Sequence, residues 1–404
     1  MLVEFSVGNF LSFKEKKTLS LEASSIKENP DNVILRDKLE VLRSAVIYGA
    51  NSSGKSNLIK AMSTMSSIVR GSGKYNSSDE IPVTPFLLST ETETQPSFFE
   101  VLFIIENDLF RYGFEVDKKS VQLEWLFQTL SGEKEQNLFI RQLESIEISN
   151  EFEEARGVED KTRDNALFLS IVDQFNGPIA KKIIEWFSKQ VNFSGLQHEQ
   201  VKFVSSLLLE HKDLNTWIKD FLLPLDLGFK DFEFDEKEKR VITYHTKFDE
   251  SGSIVDERFK FDLLTQESAG TNKLYDMAGR LSLGLLLGGV TIIDELDAKL
   301  HPLLTMAIVK LFNSPKHNKN NAQLIFATHD TNLLSHGCFR RDQIYFTEKT
   351  KLESTDLYSL VEYRETDGTK VRNDRSYEKD YIAGRYRAIP FMGDFSKLTK
   401  SWQE

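Results

Sequence analysis

The chain has 404 residues, 40% apolar and 28% charged, the balance of a globular protein with room for one large core or two modest ones. A net charge of −11 excludes a broadly basic, DNA-wrapping surface, though not a local basic groove. The single cysteine, Cys338, excludes an intrachain disulfide and any cysteine-built zinc site, which fits a reducing cytoplasm.

The chain opens with Val3, Phe5 and Val7 alternating with Glu4 and Ser6, which predicts a half-buried strand partnered by Thr18–Leu21. A polar stretch, Ser24–Leu39, precedes the apolar run Ala45–Tyr48, a buried strand that ends on glycine. From Asn57 the period becomes helical, with Leu58, Met62, Met65 and Val69 on one face, and Gly71 and Gly73 end it. From Phe99 the period returns to two. Phe99–Ile105, Phe110–Val116 and Val121–Trp125, joined by Glu106-Asn107-Asp108 and Asp117-Lys118-Lys119, predict an antiparallel meander. Arg163–Leu222 reads as mostly helical, with Ile183, Ile184, Trp186 and Phe187 as core positions. Strands follow at Phe232–Phe234 and Arg240–Phe248, then a helix at Asn272–Leu283 and a short buried strand at Gly288–Asp294. His301–Phe312 is a helix, Gln323–Thr328 another buried strand, and beyond Asp342 short strands mix with charged loops. No leader of basic then apolar residues opens the chain. No apolar run reaches the roughly 18–20 residues that span a bilayer, so no membrane part is expected.

Four motifs carry chemistry. Gly49-Ala-Asn51-Ser52-Ser53-Gly54-Lys55-Ser56 has the phosphate-loop spacing GxxxxGK[ST] between an apolar strand and an amphipathic helix. Such a loop turns backbone N–H groups inward around phosphate oxygens at a helix N-terminus. Lys55 would reach the β- and γ-phosphates of ATP and Ser56 would sit on Mg²⁺, with Asn57 opening the helix. The strand ending in Asp294-Glu295 supplies two carboxylates: Asp294 to hold Mg²⁺, Glu295 to orient and deprotonate the attacking water. Leu296-Asp297 follows, and Asp297 reads as the start of a D-loop; the full segment is DE-x-D-x-x-LHP.

Glu267-Ser268-Ala269-Gly270-Thr271 lies some two dozen residues upstream, where ATPases of the ABC class carry their signature motif; Ala269 replaces its first glycine. Ser268, Gly270 and Thr271 could bind a γ-phosphate or simply cap the helix that follows, and the two uses share the same N–H groups. Thr328-His329 at the end of an apolar strand places an imidazole where it can touch the γ-phosphate and hold the water. Gln174 is the Q-loop candidate for Mg²⁺; an ordinary exposed helical glutamine is the rival reading, and Gln95 the alternative residue.

In this order the motifs resemble the RloA-like (AAA15/AAA21-type) bacterial ATPases of the ABC-class SMC/RecF/OLD group. Asn9-Phe10-Leu11-Ser12-Phe13, Pro85-Phe86, Arg163–Ser170 and the tail Tyr381–Pro390 fit as well, with Arg387 standing where members often have glycine. The resemblance implies an α/β fold: an ABC-class P-loop core with an N-terminal antiparallel β subdomain and an inserted, mostly helical subdomain. The expected units are 1–160, an N-terminal lobe; 161–260, a helical insert with two strands; 261–345, a C-terminal lobe; and 346–404, an extension. It also implies homodimers or higher oligomers sharing ATP sites, antiphage (abortive-infection) work, and a separately encoded effector such as a TOPRIM-type or RloB-like nuclease.

Rival readings remain. Asp342–Glu348 mimics the start of a TOPRIM nuclease domain, but no Asp-x-Asp pair follows and the remaining chain is too short, so no intrinsic nuclease is expected. A RecF/SMC-like DNA-repair ATPase is the main alternative. Its nucleic-acid contact would use Lys370, Arg372, Arg375, Lys379, Arg385 and Arg387, although Glu365, Asp367, Asp374, Glu378 and Asp380 interleave with them. A transporter subunit, or a scaffold that binds ATP and turns it over slowly, completes the set.

Overall fold

The computed structural model describes residues 1–36, 39–196, 199–211, 215–335, 337–365 and 368–389. Asp367 and Pro390, and the extension from 390 to 404, lie outside the described residues. The fold is mixed α/β, with an antiparallel sheet at the N-terminus and a mostly parallel sheet behind it. The antiparallel sheet has seven strands in the order Ser145–Ile148, Gln136–Gln142, Val121–Thr129, Asp108–Val116, Ser97–Ile105, Leu2–Gly8 and Lys17–Ser20. The alternation at Val3–Val7 and through the meander thus marked real strands. The first two strands of the order, Ser145–Ile148 and Gln136–Gln142, were not foreseen.

The second sheet runs Val191–Ser194, Val290–Asp294, Gln323–Ala327, Ser44–Gly49, Ile344–Lys349 and Thr355–Ser359. Its first five strands are parallel and the last is antiparallel. Parallel strands covered on both faces read as unbroken apolar runs, and their side chains divide between two cores. Ala45, Ile47, Ile325 and Ala327 join the core shared with the helix Lys55–Gly71 and the antiparallel sheet. Val46, Tyr48, Leu324 and Phe326 join the core shared with the helices Ala269–Leu287 and Pro302–Asn313. Buried Gln323 ties the sheets together: its Nε2 donates to the carbonyls of Leu2 (2.9 Å) and Leu42 (3.0 Å), and its Oε1 accepts from the Leu2 N–H at 2.6 Å.

One reading of the sequence needs correction at the level of elements. The stretch read as helical does contain the helices Phe168–Gln174, Pro178–Ser188, Glu199–Glu210 and Asn215–Leu222. It also holds the strand Val191–Ser194, which pairs in parallel with Val290–Asp294; four residues are too few to show a period. Ile344–Lys349 pairs directly with the strand that carries the phosphate loop. A separate three-stranded sheet, Asp231–Asp235, Arg240–Phe248 and Ile254–Asp262, leads into the segment before Ser268. Among the described residues no helix is long and apolar enough to cross a membrane.

Candidate functional site

The ends of three adjacent parallel strands, Ser44–Gly49, Gln323–Ala327 and Val290–Asp294, bring the phosphate loop, His329 and the two carboxylates to one edge of the sheet. The loop is built on close approach. A Cβ on Gly49 would lie 2.4 Å from Thr347 Oγ1, and one on Gly54, at φ +111°, 2.1 Å from Thr355 Oγ1. Only glycine fits either position. Lys55 Nζ donates to the carbonyls of Gly49 at 2.8 Å and Ala50 at 3.0 Å, which holds the ammonium inside the loop. Burial pushes the Lys55 pKa down, while Asp294, Glu295 and Asp297 pull it back up. These are the carboxylates foreseen, now within electrostatic reach of the lysine. Ser56 is exposed at the start of the helix Lys55–Gly71, and Asn51 and Ser52 are exposed on the loop. Ser53 is buried, with its Oγ 2.6 Å from Thr347 Oγ1.

Other segments brace the loop. Asn57 Nδ2 and Thr355 Oγ1 both donate to Ser12 Oγ at 2.7 Å, and Thr355 Oγ1 also reaches Ser53 O at 3.0 Å. Asn9, at φ +43°, donates to the carbonyls of Thr92, Gln95 and Pro96, which places Gln95 in a loop held by Asn9. A cleft of about 470 Å³ opens beside the loop, lined by Ser12, Thr84–Leu88, Lys349 and Glu353 among others. From the tail, the Tyr381 hydroxyl accepts from the Gly49 N–H; burial raises its pKa and this bond lowers it, leaving it at about 12. The sequence marked Ser12, Pro85-Phe86 and Tyr381 by resemblance alone. Ser12 meets Asn57 across 45 residues and Tyr381 meets Gly49 across more than three hundred, so neither contact left a local signal.

Asp294 Oδ1 is buried without a hydrogen-bond partner. An orphaned carboxylate oxygen within electrostatic reach of Lys55, taken with the exposed hydroxyl of the next residue, Ser56, is an oxygen donor set that suits Mg²⁺. Glu295 stands at φ +54°, a left-handed turn that lifts its side chain off the strand axis. Asp297 Oδ1 accepts from Thr328 Oγ1 at 2.7 Å and from the His329 N–H at 3.3 Å, so the segment expected to be a D-loop is strapped to the histidine segment. Desolvation and then the Lys55 ammonium lower the His329 pKa, with the three carboxylates opposing them. The imidazole is thereby held neutral near pH 7.

Ser268 caps the helix Ala269–Leu287, its Oγ accepting from the Thr271 N–H at 3.1 Å. The residue itself is exposed. A Cβ on Gly270 would lie 3.6 Å from Lys299 O, so the Ser268–Thr271 segment abuts the end of the D-loop. Among the described residues no hydrogen bond joins Ser268, Gly270 or Thr271 to the phosphate loop. Gln174 is not brought to the site. It packs against Gly73, where a Cβ would meet its Nε2 at 2.7 Å. That is the far end of the helix Lys55–Gly71, about 25 Å from the loop at 1.5 Å per residue. The order of elements suggested a Q-loop there, but the helix length carries Gln174 out of reach of Mg²⁺.

A family model described as "AAA domain, putative AbiEii toxin, Type IV TA system" matches residues 44–335. Most of the chain is covered, and the chain belongs to this family. Three solved structures are similar in fold. The Smc head domain of Pyrococcus furiosus, with an extended coiled coil and bound to the C-terminal domain of ScpA, is 12% identical, covers 96% of this chain and 99% of its own, and has a TM-score of 0.37. The recombination mediator protein RecF of the RecFOR pathway is 13% identical over 88% of this chain and 98% of its own, TM-score 0.33. CbiO1 of Clostridium perfringens, part of the ABC transporter complex cbiONQ, is 11% identical over 88% of each chain, TM-score 0.32. Superpositions this loose transfer no residue's role. No curated protein matches the sequence.

Proposed function

We propose that the chain is an ABC-class ATPase working as a nucleotide-operated switch in antiphage defence, where it controls a separately encoded effector such as a nuclease. The observation that carries the ATPase reading is the convergence of Lys55, Asp294, Glu295, Asp297 and His329 at one sheet edge, each within electrostatic reach of Lys55. The membership of a family described by a toxin supports the defence role.

In this reading the loop N–H groups and Lys55 bind the β- and γ-phosphates of ATP. Ser56 and Asp294 hold Mg²⁺, which when bound neutralises charge on those phosphates. Glu295 takes a proton from the attacking water, which displaces ADP from the γ-phosphorus to leave phosphate. Neutral His329 holds that water by a hydrogen bond, and Asp297 fixes the backbone that carries it. Exposed Ser268 and Gly270, with no bond to their own phosphate loop, complete the ATP site of a second copy. ATP then favours the closed pair because only that state contacts it from both sides. A near-complete shift needs a differential affinity of about 5.5 kcal/mol.

The DNA-repair reading is weaker on the structure. Arg375 pairs with Glu365 and Asp380, Arg385 with Asp380, and Arg372 with Asp374, so three of the four tail arginines already face carboxylates.

Lys55→Ala and Glu295→Gln tested side by side decide the matter. Both should abolish ATP turnover, and only Glu295→Gln should trap ATP in a stable pair of chains. Normal hydrolysis by Glu295→Gln would overturn the assignment of the base.

A further inference from the structure

The strands Arg240–Phe248 and Ile254–Asp262 form a hairpin whose tip has no apolar cover. Phe248, Ile254 and Val255 are 57%, 55% and 60% exposed. Phe248 pairs with Ile254 across the hairpin, so the two share a face, while Val255 points to the other. The tip is therefore a wedge, apolar on both sides. It is also preorganised. Asp249 Oδ1 accepts from the N–H groups of Ser251 and Ser253 at 2.9 Å, and Gly252 takes φ +82° to close the turn. Its rim is acidic: Asp249, Glu250, Asp256 and Glu257 outnumber the one lysine of the tip, Lys247.

A groove of about 1000 Å³ lies where the helices Asn215–Leu222, Ala269–Leu287 and Pro302–Asn313 meet. Trp217, Phe221, Leu285 and Leu311 are among its apolar lining. Lys310, Lys316 and Lys319 also line it, against the carboxylate of Asp220. None of the three lysines forms an ion pair with a described residue. On a chain of net charge −11, a lysine-rimmed apolar groove is where an acidic segment can approach without repulsion. Tip and groove stand open in the same molecule, so the tip does not fill its own groove.

We propose that the hairpin tip of one copy seats in this groove of a second copy. Wedge meets groove, apolar surface meets apolar surface, and carboxylates meet ammonium groups, so both halves of the contact are written in one chain. The two surfaces differ, so the contact is heterologous and closes only when two copies exchange tips or a ring forms. It needs no nucleotide and is separate from a shared ATP site. It still bears on that site. The strand Ile254–Asp262 runs through the short helix Leu263–Gln266 to Ser268, and Thr243 Oγ1 and His245 Nε2 hold the Glu267 carboxylate at 2.5 and 2.7 Å. A seated tip therefore restrains the segment that presents Ser268.

Sedimentation velocity of the full chain without nucleotide tests the contact. The wild type should self-associate, and so should Lys55→Ala, which separates this contact from any ATP-driven pairing. Phe248→Ser with Ile254→Ser should weaken association by at least about thirtyfold, the loss expected on removing a buried aromatic anchor. Lys316→Glu with Lys319→Glu should weaken it as well. Adding Asp249→Lys and Glu250→Lys to that rim variant should restore it. As a readout independent of association strength, Val255→Cys and Leu311→Cys chains, both carrying Cys338→Ser, should form a mixed disulfide-linked pair on mild oxidation. A monomeric wild type, tip and rim variants that associate like the wild type, or no mixed crosslink would each overturn the proposal.

Discussion

Gly195→Ala tests how Glu295 is positioned. Gly195 follows the strand Val191–Ser194, and its N–H donates to Asp294 O at 2.7 Å. A Cβ built there lies 1.9 Å from the Glu295 carbonyl oxygen, whereas real Cβ contacts do not fall below 3.0 Å. Backbone must therefore move by about an ångström, and it moves at the residue proposed as base. A misplacement of that size costs about 10²-fold in rate, equivalent to about 2.7 kcal/mol of barrier. Lys55 and its loop do not touch Gly195, so ATP affinity should hold. The assay is steady-state ATPase activity beside equilibrium binding of ATP. The expected result is a kcat lower by about two orders of magnitude with binding unchanged. A kcat close to that of the wild type would refute the argument. So would a parallel loss of binding, which would mean that the sheet edge as a whole had shifted.

Gly54→Ala places a Cβ against Thr355 at a left-handed position and should abolish ATP binding, read by calorimetry, while the fold melts normally. Gln174→Ala should leave the Mg²⁺ dependence of turnover unchanged within about twofold, because Gln174 lies about 25 Å from the loop. Glu124 is buried, accepts from the Tyr112 hydroxyl and the N–H groups of Phe168 and Leu169, and faces buried Arg141 at 3.8 Å. Its replacement by alanine strands that arginine and should cost about 3–5 kcal/mol in denaturant unfolding. His329 has a pKa below the ordinary 6.5, so lowering pH protonates it only beneath that value. The acid limb of kcat/KM that it causes should therefore lie below pH 6.5 and vanish in His329→Ala.

The parts of the site written in the sequence are those in which local spacing and chemistry coincide. Gly49–Ser56 follows its strand and opens its helix, and Asp294-Glu295 ends an apolar run; each needs only a few neighbouring residues to be recognised. The capping by Ser268 was legible because a serine ahead of a helical stretch needs only its own neighbours to be read as a cap. What escaped is long-range. Val191–Ser194 is a strand because Val290–Asp294 offers it an edge, not because four residues prefer that state. Tyr381 reaches Gly49 only through the packed core. Gln174 failed for the opposite reason: order along the chain suggested proximity, and a straight helix removed it. Arg387 shows a subtler case. It stands at φ +65°, the region glycine enters freely, so a bulky side chain strains the turn at this position. Arg387→Gly should raise stability by about 1 kcal/mol in a thermal melt.

The segment Asp297–Lys299 offers a link, inside one chain, between the two halves of the proposed shared ATP site. In the proposed pair, a chain's phosphate loop and Glu295 serve one ATP, and its Ser268 serves the other. The segment from Asp297 to Lys299 touches both. Asp297 holds Thr328 and the His329 N–H on one side, and Lys299 O lies against Gly270 on the other. In that reading, a shift of His329 on phosphate release would pull on the same short segment that backs Gly270. Thr328→Val removes the 2.7 Å bond to Asp297 at constant side-chain size. It should leave ATP binding intact and uncouple the sites, read as a Hill coefficient for ATP hydrolysis that falls toward one. A Hill coefficient that stays at the wild-type value in Thr328→Val would show that the link runs elsewhere.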